Sequence, residues 1–326
     1  TAQYKKVVSI IEVAPNNGTT FEVTANAATA GSIKASIPAA SYNYITTRPF
    51  ATLASGATPR YLLSDTLGNV FSLNGTANVS KITPAGVVST FGTTGSSPFG
   101  FSMDPFGNIF VGNAGLNSVS KITPAGVTTT LATGVGTPYG VTLDSIGNVI
   151  VSGYTNLNRI SAAGLNTVIG TSQGNSGTPK GLCIDQEGNI YVANSFANNV
   201  MKHSPNGTSS VFALVGTQPY AICMDKLGNF YTANKGSNNV SKITPAGVVT
   251  VLGTLPASSG PVDIAVGNDG NIYTSNDNGT VSQITQTGVS TVISNLGVNV
   301  SMPSNSGYLG MTLDVNGNIY VANSNL

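Results

Sequence analysis

Asp104-Pro105-Phe106-Gly107-Asn108-Ile109-Phe110-Val111 decides the fold, because the chain keeps returning to it. Asp65, Asp144, Asp185, Asp225 and Asp314 each stand three residues before a Gly-Asn pair: Gly68-Asn69, Gly147-Asn148, Gly188-Asn189, Gly228-Asn229 and Gly317-Asn318. A further copy has Gly267 in place of the aspartate, ahead of Gly270-Asn271. Successive copies are 39 to 47 residues apart. Self-similarity at such a period marks an array of supersecondary units.

Residues 98–134 show what one unit is. Phe101-Ser102-Met103 is a short apolar run, and Asp104 to Gly107 is a turn, since Asp bonds its own backbone and Gly tolerates positive φ. Asn108-Ile109-Phe110-Val111 is rich in strand formers. After a polar loop, Val119-Ser120-Lys121-Ile122 alternates apolar and polar, as a strand with one buried face does. Pro124-Ala125-Gly126 turns the chain, and Val127 to Leu131 alternates again. Four short antiparallel strands repeated radially describe a β-propeller blade. No window shows the 3.6-residue period of an amphipathic helix.

Working outward, residues 41–58 read as half a unit: Thr52-Leu53-Ala54-Ser55-Gly56 before Thr58-Pro59 parallels Thr130-Leu131-Ala132-Thr133-Gly134 before Thr137-Pro138. The C-terminus supplies the complement, with Met311-Thr312-Leu313 and Asn318-Ile319-Tyr320-Val321 as first and second strands. The fold expected is all-β: a seven-bladed β-propeller over residues 41–326 with a 2+2 composite closing blade, and an N-terminal β-rich extension over residues 1–40. In the extension, Lys6 to Val13, Thr20 to Thr24 and Ser32 to Ile37 read as strands. The first is apolar on both faces at Val7, Val8, Ile10, Ile11 and Val13, so it needs burial or edge pairing. The propeller closes without it in this reading, so its expected role is pairing with an exposed blade edge or another copy, the alternative being that it folds back on its own propeller as a cap.

Composition narrows the function. Charged residues make up 8% of the 326, against about 25% in an average chain. Asn, Ser, Thr and Gly supply the polarity instead. The net charge of +1 gives no field for nucleic acid or an anionic membrane, and no apolar run reaches the roughly 18 residues that span a bilayer. The chain opens on Thr1, as though a leader had been removed. These features are expected of an extracellular or cell-surface protein. Seven Asn-x-Ser/Thr sequons, at Asn17, Asn74, Asn78, Asn206, Asn239, Asn278 and Asn299, are surface acceptors if the source glycosylates. Cys183 and Cys223 occupy equivalent places in consecutive units and read as small buried thiols; a disulfide between them is the alternative.

The pattern Pro-x-Gly-[Val/Leu/Phe]-x-x-Asp-x-x-Gly-Asn-[Ile/Val]-[Tyr/Phe/Ile]-Val-x-Asn-x-x-x-Asn-x-Val runs over Pro98 to Val119 and Pro138 to Asn158, and in variant form over Pro179 to Val200. It resembles the NHL repeat, and the count of seven is similar to the streptogramin (virginiamycin B) lyase branch. The resemblance implies a propeller; function does not follow from fold. It also implies, for that branch, a pair of histidines with a glutamate and magnesium. The chain has one histidine, His203, which replaces the isoleucine seen at Ile122 and Ile243. It therefore cannot supply the pair. Six of the 12 acidic residues are repeat aspartates read as turn formers. With Glu12 and Glu22 in the extension, Glu187, Asp263, Asp269 and Asp277 remain for acid–base or metal chemistry.

The positions of most interest follow the proline opening each first strand, or Tyr308 in the last unit: Arg60, Phe99, Tyr139, Lys180, Tyr220, Val262 and Leu309. In a propeller they ring one mouth of the central channel, where aromatic and basic groups stack on a sugar, a base or a peptide side chain. Asp263 replaces the Gly or Ala found beside them at Gly100, Gly140, Gly181, Ala221 and Gly310. The expected ligand site is thus Arg60, Phe99, Tyr139, Lys180, Tyr220 and Asp263, with no catalytic residues, cofactor or metal. The reading is a non-enzymatic structural or adhesive scaffold that self-assembles into oligomers or filaments and binds a surface glycan or protein. A lyase- or lactonase-type enzyme with a channel-mouth site is the alternative.

Overall fold

In the computed structural model of the chain, every regular element is a β-strand among the residues the structure describes, which are 9–16, 21–23, 33–35, 44–53, 58–171, 179–296 and 309–323. Six four-stranded antiparallel blades each use four consecutive strands: residues 59–93, 98–133, 138–171, 179–214, 219–254 and 261–295, here blades 1 to 6. In blade 2 the strands run from the axis outward as Pro98–Met103, Ile109–Asn113, Ser118–Ile122 and Thr128–Thr133. Every residue of Ile109–Asn113 is buried, because neighbouring blades cover both of its faces. The outermost strand keeps Thr129, Thr130 and Thr133 in solvent. The third strand, read as half-buried, is buried at every residue but Lys121, and only the outermost strand is half-exposed.

The core lies between blades. Phe71, Leu73 and Val79 of blade 1 meet Phe101, Ile109, Val111 and Ile122 of blade 2. Each such side chain contributes roughly 1.5–3 kcal/mol when removed from water. The same contact recurs at each following junction.

The repeat aspartates form turns, as the sequence predicts. Asp104 Oδ1 accepts the N–H of Phe106 at 3.0 Å and of Asn108 at 2.8 Å, while Oδ2 accepts Asn108 Nδ2 at 2.7 Å. Gly107 takes φ 81°, which a side chain would strain. Blade 6 lacks the aspartate at Gly267, and Asp269 takes over, accepting Asn271 N–H at 3.0 Å, Asn271 Nδ2 at 2.8 Å and the Tyr273 hydroxyl at 2.7 Å. At the opposite end, a buried asparagine closes the second strand: Asn113 Nδ2 donates to Ser118 and Ser120 Oγ, and Asn113 Oδ1 accepts the Gly95 N–H at 2.8 Å. Asn74 holds the same buried place in blade 1, so that sequon is no glycan acceptor.

A further four-stranded sheet joins the chain ends in the order Met311–Leu313, Ile319–Asn323, Ser9–Asn16, Tyr44–Thr52. It packs on blade 6 through Leu309, Met311, Ile319 and Val321 against Tyr273, Val281 and Leu296. On its other side, Tyr320 and Ala322 meet Leu62, Val70 and Ile82 of blade 1. This corrects the expected composition of the closing sheet. Residues 41–58 supply only its outermost strand; the third strand is Ser9–Asn16, drawn from the segment read as an extension. Ile11 pairs with Val321 on one side and Pro49 on the other, so both edges of that strand are filled by its own chain. The physical reason is the one that set the strand apart: its need for edge pairing is met inside the ring. Ile10, Ile11 and Val13 are therefore closing-sheet residues, while Val7 and Val8 lie outside the described residues. Phe21–Val23 and Ile33–Ala35 form a separate two-stranded sheet.

Candidate functional site: the channel mouth

In four blades the residue after the strand-opening proline is extra in the ladder. Pro59 pairs with Asn74 and Tyr61 with Leu73, leaving Arg60 between them unmatched. Tyr139, Tyr220 and Val262 are left out in the same way in blades 3, 5 and 6. In blade 2 the unmatched residue is Gly100, one place later. A bulge re-aims the side chain it carries and is enriched beside binding sites.

The structure brings three of the expected residues into one arc across consecutive blades. Arg60 Nη1 donates to the Pro98 carbonyl at 3.4 Å, and its guanidinium carbon lies 5.3 Å from the centre of the Phe99 ring. Phe99 meets Tyr139 edge to face, 5.5 Å between centroids. Arg60 thus turns toward blade 2 rather than toward Asp263. Tyr220 stands apart, beneath the ammonium of Lys235 at 4.9 Å, which Asp277 anchors at 2.8 Å. The Lys180 side chain lies outside the described residues. Neither Lys235 nor its link to Asp277 was read as a site residue. Lys235 is alone of its kind among the residues that follow the strand-closing asparagines, compared with Ala114, Ser195 and Asp277, and that difference was the available signal.

Beneath the mouth, the innermost strands enclose a cavity of about 230 Å³ whose lining includes Tyr61, Phe101, Tyr139, Tyr220, Val262 and Asp263. Innermost strands crowd here. A Cβ on Gly181 would stand 2.7 Å from Ile222 N and 2.8 Å from Ala221 Cα, so small residues prevail at this level. Only Tyr61 and Asp263 break the rule, and they flank Gly310, where a Cβ would meet the Tyr61 backbone at 2.5 Å. Gly310 N–H donates to the Arg60 carbonyl at 2.8 Å. Asp263 Oδ1 accepts the Ile264 N–H at 2.9 Å, and Oδ2 accepts the Met311 N–H of the closing sheet at 2.8 Å. Burial pushes its carboxyl up to about 6, against those two backbone donors. Tyr61 shares the position of Gly100 and Asp263, where the sequence comparison named Asp263 alone as the departure.

His203 lies elsewhere. It is 2% exposed in the third strand of blade 4, packed on Gly170 of blade 3, with Nδ1 2.8 Å from Ser209 Oγ. Burial lowers its pKa. Among the described residues, no three His, Cys, Asp or Glu side chains gather as a metal site would require. The residues present therefore do not fit the histidine-pair and magnesium arrangement that the lyase resemblance implies. Cys183 and Cys223 are free thiols of adjacent innermost strands, each pushed up by burial. No helix among the described residues is long and apolar enough to cross a membrane.

A profile of the Virginiamycin B lyase family matches residues 38–284. Among solved structures, a streptogramin B lyase superposes with a TM-score of 0.71 at 16% identity, covering 82% of this chain and 91% of the other. A catalytically inactive His-to-Ala virginiamycin B lyase from Staphylococcus aureus, with quinupristin, gives 0.70 at 14%, covering 82% and 95%. The extracellular domain of a hybrid two-component system of B. thetaiotaomicron gives 0.65 at 16%, covering 83% of this chain and 38% of that one. These identities speak to the fold alone. No match is found among curated proteins.

Proposed function

The chain belongs to the virginiamycin B lyase family, and from that premise we propose that it is a non-catalytic member: a seven-bladed propeller, counting the closing sheet, that acts outside the cell as a binding scaffold. The observation that carries this reading is His203. The single histidine of the chain is walled between blades 3 and 4, with Ser209 on Nδ1, and no histidine faces the channel. An acid–base group must reach the proton it moves, directly or through one water. The low charge and near-identical blades support a scaffold, since Ser-Lys-Ile-Thr-Pro-Ala-Gly-Val stands at residues 80–87, 120–127 and 241–248. The arc of Arg60, Phe99 and Tyr139 supports ligand recognition at the mouth, for a surface glycan or a protein side chain. Self-assembly in this reading proceeds by exchange of Ser9–Asn16 between copies, because that strand's edges are already paired at home.

The family match favours the second reading, a lyase acting on streptogramin B antibiotics, and one experiment separates the two. The protein is incubated with a streptogramin B antibiotic and Mg²⁺, and the ring-opened product is sought by mass spectrometry. Intact antibiotic after prolonged incubation is expected; steady turnover abolished by His203→Ala in a folded protein would establish the lyase.

A further inference from the structure

We propose that the channel cavity binds a small organic cation, a quaternary or primary ammonium group, seated between the Asp263 carboxylate and the aromatic wall of Tyr61, Tyr139 and Tyr220. The inference rests on reading the channel as a binding site and adds the class of ligand.

Four observations carry it. First, Asp263 is the single charged residue among those described as lining the cavity. Second, it occupies a level where the other blades hold Gly100, Gly140, Gly181, Ala221 and Gly310, so a carboxylate stands where packing asks for almost no side chain. Third, its oxygens each take one backbone N–H, from Ile264 and Met311, and among the described residues no cation pairs with it. A buried charge in that condition is costly, and the cost is relieved by a cation. Fourth, the remaining polar lining is aromatic. Tyrosine faces attract an ammonium more strongly once water is excluded. The molecule already uses this chemistry at the rim, where Lys235 covers Tyr220 and Arg60 covers Phe99.

Size and proton linkage sharpen the inference. At about 230 Å³ the cavity falls below the roughly 300–1,000 Å³ of drug-sized sites, so it takes a headgroup-sized cation. The titratable groups around Asp263 are the phenols of Tyr61, Tyr139 and Tyr220 and the thiol of Cys223 on the neighbouring innermost strand, whose own titration Asp263 disfavours. Burial keeps that thiol protonated at neutral pH. The carboxylate is therefore the group whose ionisation gates binding near pH 6.

The test uses choline and its uncharged isostere 3,3-dimethyl-1-butanol, titrated by calorimetry into the full chain. Choline binding with at least tenfold preference over the isostere is expected. Affinity should fall about tenfold per pH unit once the pH is well below 6. Asp263→Asn should lose the preference, and Asp263→Gly, which restores the residue of Gly140 and Gly181, should lose it with stability retained. Tyr139→Ala with Tyr220→Ala should weaken choline at unchanged thermal stability. Equal binding of the isostere, no choline binding at millimolar concentration, or full affinity in folded Asp263→Gly would each overturn the proposal. None of these outcomes touches the antibiotic assay, so the two readings fail separately.

Discussion

At the scale of single residues, the structure separates side chains that make turns from those that make the site. Asp104 satisfies three donors of its own turn and touches no cavity. Asp104→Ala is expected to cost about 1 kcal/mol, as loss of a capping acceptor does, and to leave ligand binding unchanged. Urea denaturation beside calorimetry checks both, and abolished binding in a folded variant would contradict the assignment. His203 makes a prediction with a sign. Its folded pKa lies below the ordinary value near 6.5, so the unfolded chain binds the proton more readily. Stability is then full above that value and falls as the pH drops through it. The equivalent residues Ile82, Ile122, Ile160, Ile243 and Ile284 are fully buried isoleucines, so the cavity is built for one. His203→Ile should raise Tm at pH 5.5 more than at pH 7.5. Asp263 contributes the opposite slope between about 4 and 6, where its raised pKa favours the folded state at low pH, and both proteins share that contribution. Equal gains at the two pH values would refute the linkage.

At the scale of elements, the innermost strand carries the design. It opens on a proline, bulges at the next residue, narrows to Gly or Ala, and ends in the Asp turn. In blades 1, 3, 5 and 6 the bulge falls on the residue after the proline, and the narrow level lets the innermost strands approach the axis. Gly181→Ala tests the second point. The new methyl meets backbone of the adjacent strand at 2.7 Å and 2.8 Å, and backbone cannot move aside cheaply. A loss of about 2 kcal/mol is expected, within the range for overpacking. A change under about 0.5 kcal/mol, the size of an ordinary surface substitution, would show that the strands are looser than their geometry implies.

At the scale of the whole molecule, the ring is held shut by its two ends. Ser9–Asn16 lies between Ile319–Asn323 and Tyr44–Thr52, so removing residues 1–16 strips both neighbours of their ladders. Open strand edges recruit other chains. The truncated protein should lose roughly 5–10 °C in Tm, taking 2–4 °C per kcal/mol for a large domain, and should associate by light scattering. A truncated chain that stays monomeric and as stable as the full one would show that the ring closes without this strand.

Much of this was legible in the order of residues. The Asp-x-x-Gly-Asn turns, the four-strand unit and the joining of C-terminal strands to N-terminal ones follow from local turn chemistry and strand periodicity, which act over a few residues. The aromatic and basic positions after each proline were legible for the same reason, because a repeat exposes its own departures. Three things waited for the tertiary structure. Ser9–Asn16 is apolar on both faces whether it pairs with its own ring or with a neighbour, and only the geometry of closure chooses. The bulge depends on the register between two strands, which no single strand states. The isolation of Asp263 and the burial of His203 are properties of what surrounds them, and residues far apart in sequence, such as Met311 and Gly170, supply those surroundings.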